Sequence, residues 1–234
     1  MPKLPPKQDL RYGDAMRSLW TLFRTQPLLR ESSLIGALVF ASFSCFWTTL
    51  AFLLSSHYGL GPAVAGSFGL VGAAGALVAP IGGRLADKRG TRWVLTAGMT
   101  LLALSYLLLW AGEWERSRLS FSVHIAVLVV GVILLDIGAQ LTQVGNQTRI
   151  FGLVPSARSR VNTVYMTVYF AGAAVGSALS TIAWVHWKWE GVCGLALGLI
   201  ALAGLRHALG SRVSEAHSLE SRGELASIET VMEV

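Results

Sequence analysis

The chain has 234 residues, of which 53% are hydrophobic and only 14% are charged. Soluble domains carry about 25% charged residues, so this composition excludes an ordinary soluble domain and predicts a membrane protein. The formal net charge of +6 does not indicate a nucleic-acid partner, because the cations flank apolar runs, as topology signals do. Cys45 and Cys193 lie far apart inside apolar runs, so the sequence predicts no metal site and no disulfide framework. No cofactor is predicted either.

Residues 1–31 are predicted to form a basic cytoplasmic segment. The segment starts with MPKLPPKQ, a proline-rich stretch that we expect to be disordered. Apolar residues then recur at helical spacing, with cations on the other sides, which predicts an amphipathic helix lying flat on the inner membrane surface. Pro27 ends this helix. The apolar positions are Tyr12, Met16, Leu19, Trp20 and Phe23.

Six apolar runs follow, each close to the twenty residues that cross a bilayer. Sorted by the connections between these runs, sixteen of the 19 lysines and arginines fall on one side of the membrane and three on the other. The excess of cations marks the cytoplasmic side, so both termini are expected there. Residues 32–208 are thus predicted to form a six-helix transmembrane domain, and residues 209–234 a mobile cytoplasmic tail. The spans are placed at residues 33–54, 63–83, 93–111, 121–142, 162–184 and 190–208.

The connection between the second and third predicted spans is unusually basic. It reads GRLADKRGTR, and it holds four cations and a single carboxylate, Asp87. Such a polar turn must stay in water while its neighbours enter lipid, which predicts a cytoplasmic loop. An ordinary loop that follows the positive-inside rule is the alternative interpretation. The positions that define the pattern are Gly83, Arg84, Asp87, Lys88, Gly90 and Arg92.

The pattern G-x-L-A-D-K-x-G-x-R between two apolar helices resembles the signature loop of the major facilitator superfamily of secondary transporters. The resemblance implies a fold of two six-helix halves with the substrate cavity between them, and the chain looks like a carboxyl-terminal half. Bacterial drug- and sugar-efflux members are the most similar. The resemblance also implies that Asp87 caps a neighbouring helix and holds one access state closed. Its expected partners are Arg84, Arg92 or Arg158.

Small residues recur at regular spacing in two predicted spans, at Gly66, Gly69, Gly72 and Gly75 in the second and at Gly172 and Gly176 in the fifth. Because lipid supplies little hydrophobic drive between helices, small residues favour close backbone approach. They predict a compact bundle. Static packing and a gating role remain open for each glycine.

Asp136 lies well inside the fourth predicted span, whereas the lysines and arginines lie outside the spans, except Arg206 near the end of the sixth. It stands about fifteen residues, or about 22 Å, from the outer end of the helix, which predicts the inner half of the bilayer. A carboxylate there costs at least about 2.5 kcal/mol, so it must face a cavity, find a partner or bind a proton. Amides follow it on the same helical face. They are Gln140, Gln143, Asn146 and Gln147.

Two interpretations of this polar face stay open. In the functional one, Asp136 carries the coupling proton and the amides line a proton or substrate pathway. In the structural one, Asp136 is a protonated hydrogen-bond donor between helices, or it pairs with Arg149 or Arg160.

Aromatic residues in the first and fifth spans are candidates for substrate lining. Phe40, Phe43 and Trp47 form a stripe among hydroxyl side chains, and Tyr165 and Tyr169 form a similar mixed face. Aromatic and hydroxyl groups together suit an amphipathic organic ligand. Core packing or lipid contact is the alternative.

The predicted function is therefore secondary transport of a small organic solute or drug, coupled to protons, by an all-α protein of a bacterial inner membrane. The expected partners are the lipid bilayer, the solute, and a second six-helix half or another copy of the chain. The competing prediction is a membrane protein without transport, either a truncated remnant or an assembly partner. An enzyme is not expected, because the sequence lacks H-E-x-x-H, G-x-S-x-G and G-x-x-x-x-G-K motifs.

Overall fold

The structure is a computed structural model that describes residues 12–73, 75, 78–114, 120–154 and 157–232. Within these ranges the regular elements are α-helices. The stretch MPKLPPKQ, predicted to be disordered, lies outside the described residues. The helices are α1 (Tyr12–Thr25), α2 (Pro27–Tyr58), α3 (Pro62–Ala73), α4 (Ala79–Arg89), α5 (Thr91–Trp114), α6 (Phe121–Phe151) and α7 (Arg158–Met232).

The amphipathic helix predicted near the start of the chain is present as α1. Only Gln26 separates it from α2, which begins at Pro27. Proline suits the first turn of a helix because its missing N–H would have no partner there. At the other end of α2, Gly59 adopts a left-handed conformation with φ of 64°, and its N–H bonds to the Leu54 carbonyl.

Four helical segments in the described part of the chain are long and apolar enough to cross a membrane. A shorter apolar helix occupies Ala63–Gly72. The four segments are Pro27–Tyr58, Thr91–Glu113, Phe121–Phe151 and Arg158–Gly210.

The second predicted span contains α3 and the start of α4, and Gly75 and Val78 between these two helices have 3-10 geometry. α3 ends at Ala73 and α4 begins at Ala79, with Pro80 in its first turn. Proline inside a helix removes a hydrogen bond and collides with the carbonyl four residues earlier, so a new helix starts here more easily than the old one continues. Glycine-rich sequence before the proline weakens the helix further.

The fifth and sixth predicted spans follow one another within α7. Lys188 interrupts the helix with non-helical angles, φ 51° and ψ −143°. The apolar segment of 53 residues around it would be about 80 Å long if straight, more than twice the thickness of a bilayer core. Beyond that segment α7 continues to Met232, so residues 209–232, predicted as a mobile tail, have a helical backbone.

Two pairs of helices, α2 with α7 and α5 with α6, approach most closely where a glycine faces the backbone of the neighbouring helix. A Cβ atom at Gly172 or Gly176 would run into the backbone of Ala37 or Ala41, so α7 and α2 touch along this line. α5 and α6 approach equally closely, because a Cβ at Gly98 would lie 2.8 Å from the Gly138 carbonyl oxygen. The close packing predicted for Gly172 and Gly176 is thus confirmed.

Candidate functional site

Asp136 is the central residue of α6, fifteen residues from Phe121 and fifteen from Phe151. The sequence had placed it nearer one end of the span. The difference arises because α6 continues nine residues past the predicted end at 142. Asn146 lies in this extension and is completely buried, although it is polar.

The Asp136 side chain packs against the glycine-rich second span, at Gly72 and Gly75. A Cβ at Gly75 would lie 2.7 Å from the Asp136 Cβ, and a Cβ at Gly72 would lie 3.1 Å from its Oδ2. Only glycines leave room for a carboxyl group at this level. The Oδ2 atom is buried and has no hydrogen-bond partner among the described atoms.

Trp47 of α2 lies on the other side of Gly72. Its Cζ2 atom would be 2.9 Å from a Cβ at Gly72, which places the indole beside the Asp136 carboxyl group. The indole Nε1 is also buried without a hydrogen-bond partner among the described atoms. Phe43 extends the aromatic wall, with its ring centre 6.1 Å from that of Trp47.

The site therefore brings together one unsatisfied acceptor and one unsatisfied donor in an otherwise apolar environment. A buried polar group without a hydrogen bond is costly, so each atom favours a partner that supplies one. A proton on Asp136 would remove the charge, whereas a solute group could reach both atoms only after the helices moved apart, because a Cβ at Gly72 would already lie 2.9 Å from Trp47 and 3.1 Å from Asp136. The arrangement can thus bind a proton, and a small polar group after such a movement.

The amide row below Asp136 divides into two parts. Gln140, Gln143 and Gln147 are half-buried, whereas both amide atoms of Asn146 are buried without a partner among the described atoms. The Gln147 amide nitrogen lies 3.9 Å from the sulfur of Met166. These residues keep the common face that the spacing predicted, but the structure does not join them into a hydrogen-bonded chain with Asp136.

The tyrosines predicted to line the substrate site are packed inside the protein. Tyr165 is 0% exposed and Tyr169 is 4% exposed. The Tyr169 ring stacks on Phe40 with centroids 4.0 Å apart. The Tyr165 hydroxyl would lie 2.8 Å from a Cβ at Gly36, and Asn146 is its polar neighbour. A ligand would reach these tyrosines only after the helices move, whereas Phe43 and Trp47 are half-buried.

The signature loop is mostly helical, contrary to the prediction of a polar turn. Gly83 and the residues up to Arg89 complete α4, and Gly90 alone connects it to α5. A single residue suffices because Gly90 has φ of 83°, a conformation that glycine adopts without steric cost. The buried face of α4 packs on α6 through Gly82 and Ala86.

The charged residues of the signature segment point outward. Arg84, Asp87, Lys88 and Arg92 are exposed. The Arg89 guanidinium stacks over the Trp93 ring at 4.7 Å. Among the ion pairs between described side chains, none includes Asp87.

One buried carboxylate escaped the sequence analysis. Glu31 of α2 is 7% exposed, and its oxygens lie 2.9 Å from Arg149 Nη2 and 3.5 Å from Arg206 Nη2. The cluster joins the start of α2 to α6 and α7. The pairing of Asp136 with Arg149 is wrong, because Arg149 is bound to Glu31. In the sequence, Glu31 is recognisable only as an acid directly before an apolar run. Because the predicted cytoplasmic segment ended at residue 31, Glu31 was assigned to that segment and not to a contact between helices.

A second carboxylate is held at the other end of α2. Glu113 accepts a hydrogen bond from the Tyr58 hydroxyl and lies 2.8 Å from His57 Nδ1. Glu113 side-chain exposure is only 9%. Among the described residues there is no group of three His, Cys, Asp or Glu side chains that could hold a metal ion.

A helical chain with bilayer-length apolar segments and buried acids at helix contacts is an integral membrane protein. The model of the Major Facilitator Superfamily matches residues 32–230, and the chain therefore belongs to this family. The family assignment agrees with the resemblance carried by the signature segment.

The chain is also similar to bacterial proteins named as transporters. It is 39% identical over 206 residues to the uncharacterized transporter YgaY of Escherichia coli O157:H7 and to its counterpart in strain K12, covering 88% of this chain and 50% of each relative. It is 35% identical over 198 residues to a protein of Streptomyces coelicolor named "Probable transporter SCO4007", covering 82% of this chain and 44% of that protein. The chain thus spans about half the length of the curated relatives that it matches.

Proposed function

We propose that this chain is one half of a secondary active transporter that moves a small organic solute or drug across the membrane, coupled to protons. The observation that carries the proposal is the unpartnered, buried Oδ2 atom of Asp136 in the middle of α6. Intramembrane acids of this kind are costly and mark ion or substrate pathways. Binding sites of secondary transporters lie near the bilayer midplane, and Asp136 stands at the middle of α6, in contact with the glycine-rich second span.

The proposed topology has six crossings. They are made by α2, by α3 together with α4, by α5, by α6, and by α7 on either side of Lys188. Both termini then lie in the cytoplasm, in agreement with the distribution of lysine and arginine. The membrane is proposed to be the inner membrane of a bacterium, and the direction of transport to be efflux.

Proton antiport is proposed because the proton and the solute would both bind at the Asp136 carboxyl group. In the proposed mechanism, deprotonated Asp136 accepts a hydrogen bond from the solute while Trp47 Nε1 donates one. A proton on the carboxyl group removes that acceptor and the charge, so proton and solute exclude each other. The amides at Gln140, Gln143, Asn146 and Gln147 are proposed to line the pathway by which the proton or solute reaches the site. Phe43, Trp47, Tyr165 and Tyr169 are proposed as lining residues, the two tyrosines in a different access state.

The signature segment is proposed to act in gating. Gly83 and Gly90 bound the segment, and Arg84, Asp87, Lys88 and Arg92 supply its charges. In the proposed closed state Asp87 accepts hydrogen bonds at a helix end and pairs with nearby arginines, an arrangement that a positive helix terminus stabilises.

A substrate cavity between halves requires a partner, which we propose to be a second six-helix chain or another copy of this one. Protein mass in mild detergent tests this directly. A dimer or a stable complex with a second chain supports the proposal, and a monodisperse monomer contradicts it.

Transport itself is tested with inside-out vesicles that contain the chain, energised by a pH gradient. A panel of labelled organic solutes is screened for gradient-dependent uptake. Asp136→Asn is expected to abolish uptake driven by the gradient, whereas Glu190→Gln, which removes an exposed carboxylate, is expected to leave it unchanged. Uptake that persists in Asp136→Asn would disprove the role of Asp136.

The competing function is that of a membrane protein without transport, a remnant or an assembly partner. It is supported if the chain forms a complex with another membrane protein but produces no gradient-driven uptake of any solute.

A further inference from the structure

The apolar side of α1 and the first turns of α7 form a groove with a volume of about 290 Å³. Every residue that lines it is apolar except Thr167, and the Thr167 hydroxyl already donates a hydrogen bond to the Thr163 carbonyl at 2.8 Å. Such walls suit a hydrocarbon chain better than a polar ligand, because they cannot replace the hydrogen bonds that a polar group makes in water. The apolar lining residues are Met16, Leu19, Trp20 and Phe23 on α1 and Val164 and Val168 on α7.

The groove lies where the chain enters the membrane. Only Gln26 separates α1 from the apolar segment Pro27–Tyr58. On the other wall, Val164 and Val168 follow the start of the apolar segment Arg158–Gly210 by about 9 and 15 Å along α7. Both walls therefore stand near the ends of segments that are long enough to cross a bilayer. At this level the headgroup and the upper part of an acyl chain of one lipid are both within reach.

Arginines border the groove on α1. Arg17 precedes Trp20 by three residues and Arg24 follows it by four, so the three side chains share one side of the helix. The Arg24 guanidinium stands over the Trp20 ring, 5.8 Å from its centre. Both arginines are exposed, and Trp20 itself is 59% exposed. The rim of the groove thus combines positive charge with an exposed indole, as helices at a membrane interface do.

The stretch around this rim is basic as a whole. Residues 12–30 hold three arginines and a single carboxylate, Asp14. The next carboxylate along the chain, Glu31, is buried and bound to Arg149 and Arg206. A basic amphipathic helix next to a membrane span attracts anionic lipid headgroups.

From this combination we propose that the groove between α1 and α7 binds an anionic phospholipid of the bilayer. The headgroup phosphate lies at Arg17 and Arg24, and an acyl chain lies between Leu19 and Val168. The positive rim selects the charge of the headgroup, and the apolar walls supply a contact that a free phosphate would not need. The lipid is held between two helices and not only beneath α1. The site does not include Asp136, so it does not depend on the proposed transport.

Native mass spectrometry of the purified full chain in mild detergent tests the proposal. The probes are phosphatidylglycerol, phosphatidylcholine with the same acyl chains, and glycerol 3-phosphate. Phosphatidylglycerol is expected to bind at least about fivefold more tightly than phosphatidylcholine, because each cation near a membrane surface contributes about this factor. Equal binding of the two lipids would overturn the proposal. Equal occupancy by glycerol 3-phosphate would also overturn it, because it would indicate a site for free anions.

A matched pair of arginine variants locates the headgroup. Arg24→Gln is expected to weaken phosphatidylglycerol binding about fivefold, the effect of one cation. Arg89→Gln is the control, because Arg89 also stacks over a tryptophan, Trp93, but does not border the groove. Its binding is expected to stay that of the parent chain. Unchanged binding in Arg24→Gln, or an equal loss in both variants, would overturn the proposal, the latter because it would indicate a general effect of surface charge.

A second pair of variants tests the acyl chain without altering any charge. Thr167→Trp fills the groove from an exposed position and is expected to weaken phosphatidylglycerol binding at least about fivefold, which corresponds to the loss of about ten close carbon contacts. Thr181→Trp is the control, because Thr181 is exposed on the same helix, outside the groove, and has the same type of hydrogen bond to the carbonyl four residues earlier. Size-exclusion elution volume verifies that both variants are folded.

Unchanged lipid binding in folded Thr167→Trp would overturn the proposal. If this variant instead loses a dimer that the parent chain forms, while its lipid binding is unchanged, the groove belongs to a second copy of the chain and not to a lipid.

Discussion

Gly75 and Asp136 are in direct contact across two helical segments, so closely that a Cβ on the glycine would lie 2.7 Å from the Cβ of the acid. The side chain of Asp136 thus occupies the space that any other residue at position 75 would need. The position of the carboxyl group therefore depends on a glycine at position 75.

Gly75→Ala is expected to destabilise the protein by about 1–3 kcal/mol, the usual cost of overpacking a tight contact. The added methyl group would lie 2.7 Å from the Asp136 Cβ and 3.3 Å from its backbone carbonyl carbon, and neither atom can rotate away as the end of a flexible side chain would. Thermal unfolding in detergent measures the effect. Gly69→Ala is the matched control, because a Cβ there meets nothing within 4 Å. Equal changes in the two variants would contradict the packing described for Gly75.

Glu31→Gln is expected to lower stability by about 3 kcal/mol, because it leaves Arg149 buried without its counter-charge. We take the lower end of the usual range since the Arg206 side chain is 38% exposed and remains hydrated. The double variant with Arg149→Gln should recover part of the loss, which thermal unfolding of all four proteins in the cycle would measure. Additive losses, or an equal loss in the exposed control Glu190→Gln, would show that Glu31 and Arg149 are not coupled.

Asp87→Asn is expected to reduce transport about tenfold while the protein stays inserted in the membrane, if the carboxylate holds one access state closed. The magnitude corresponds to the loss of one charge-assisted hydrogen bond. Initial uptake rates, normalised to the amount of chain in the membrane, provide the measurement. Asp87→Glu retains the charge and should keep more activity. Unchanged transport in Asp87→Asn would remove the gating role.

Hydropathy and small-residue spacing predicted much of the helical bundle. The apolar runs at α2, α5 and α6 were recognisable because each must match a bilayer, and close packing at Gly172 and Gly176 was predicted from small-residue spacing, although the partner helix was not. Asp136 was identifiable as a functional candidate because a charged residue inside a membrane span is costly in free energy and usually marks a functional site.

Contacts between residues that are far apart in the sequence could not be predicted from hydropathy or residue spacing. Glu31 stands 118 positions from Arg149, and no local pattern connects them. The signature segment reads as a polar turn because it is charged, yet its helical form depends on Gly82 and Ala86 packing against α6. The burial of Tyr165 likewise depends on Gly36, a residue of another helix.

The line of contact between α2 and α7 places backbone on backbone at two successive levels, at Gly172 with Ala37 and at Gly176 with Ala41. Surfaces that meet without intervening side chains have no compliant layer, so a small slide would drive a Cβ into a carbonyl group. These two helices are therefore expected to move together as one rigid unit. A change of access would then require movement elsewhere, and the second span is less constrained at Gly66 and Gly69, where an added Cβ would meet no atom within 4 Å.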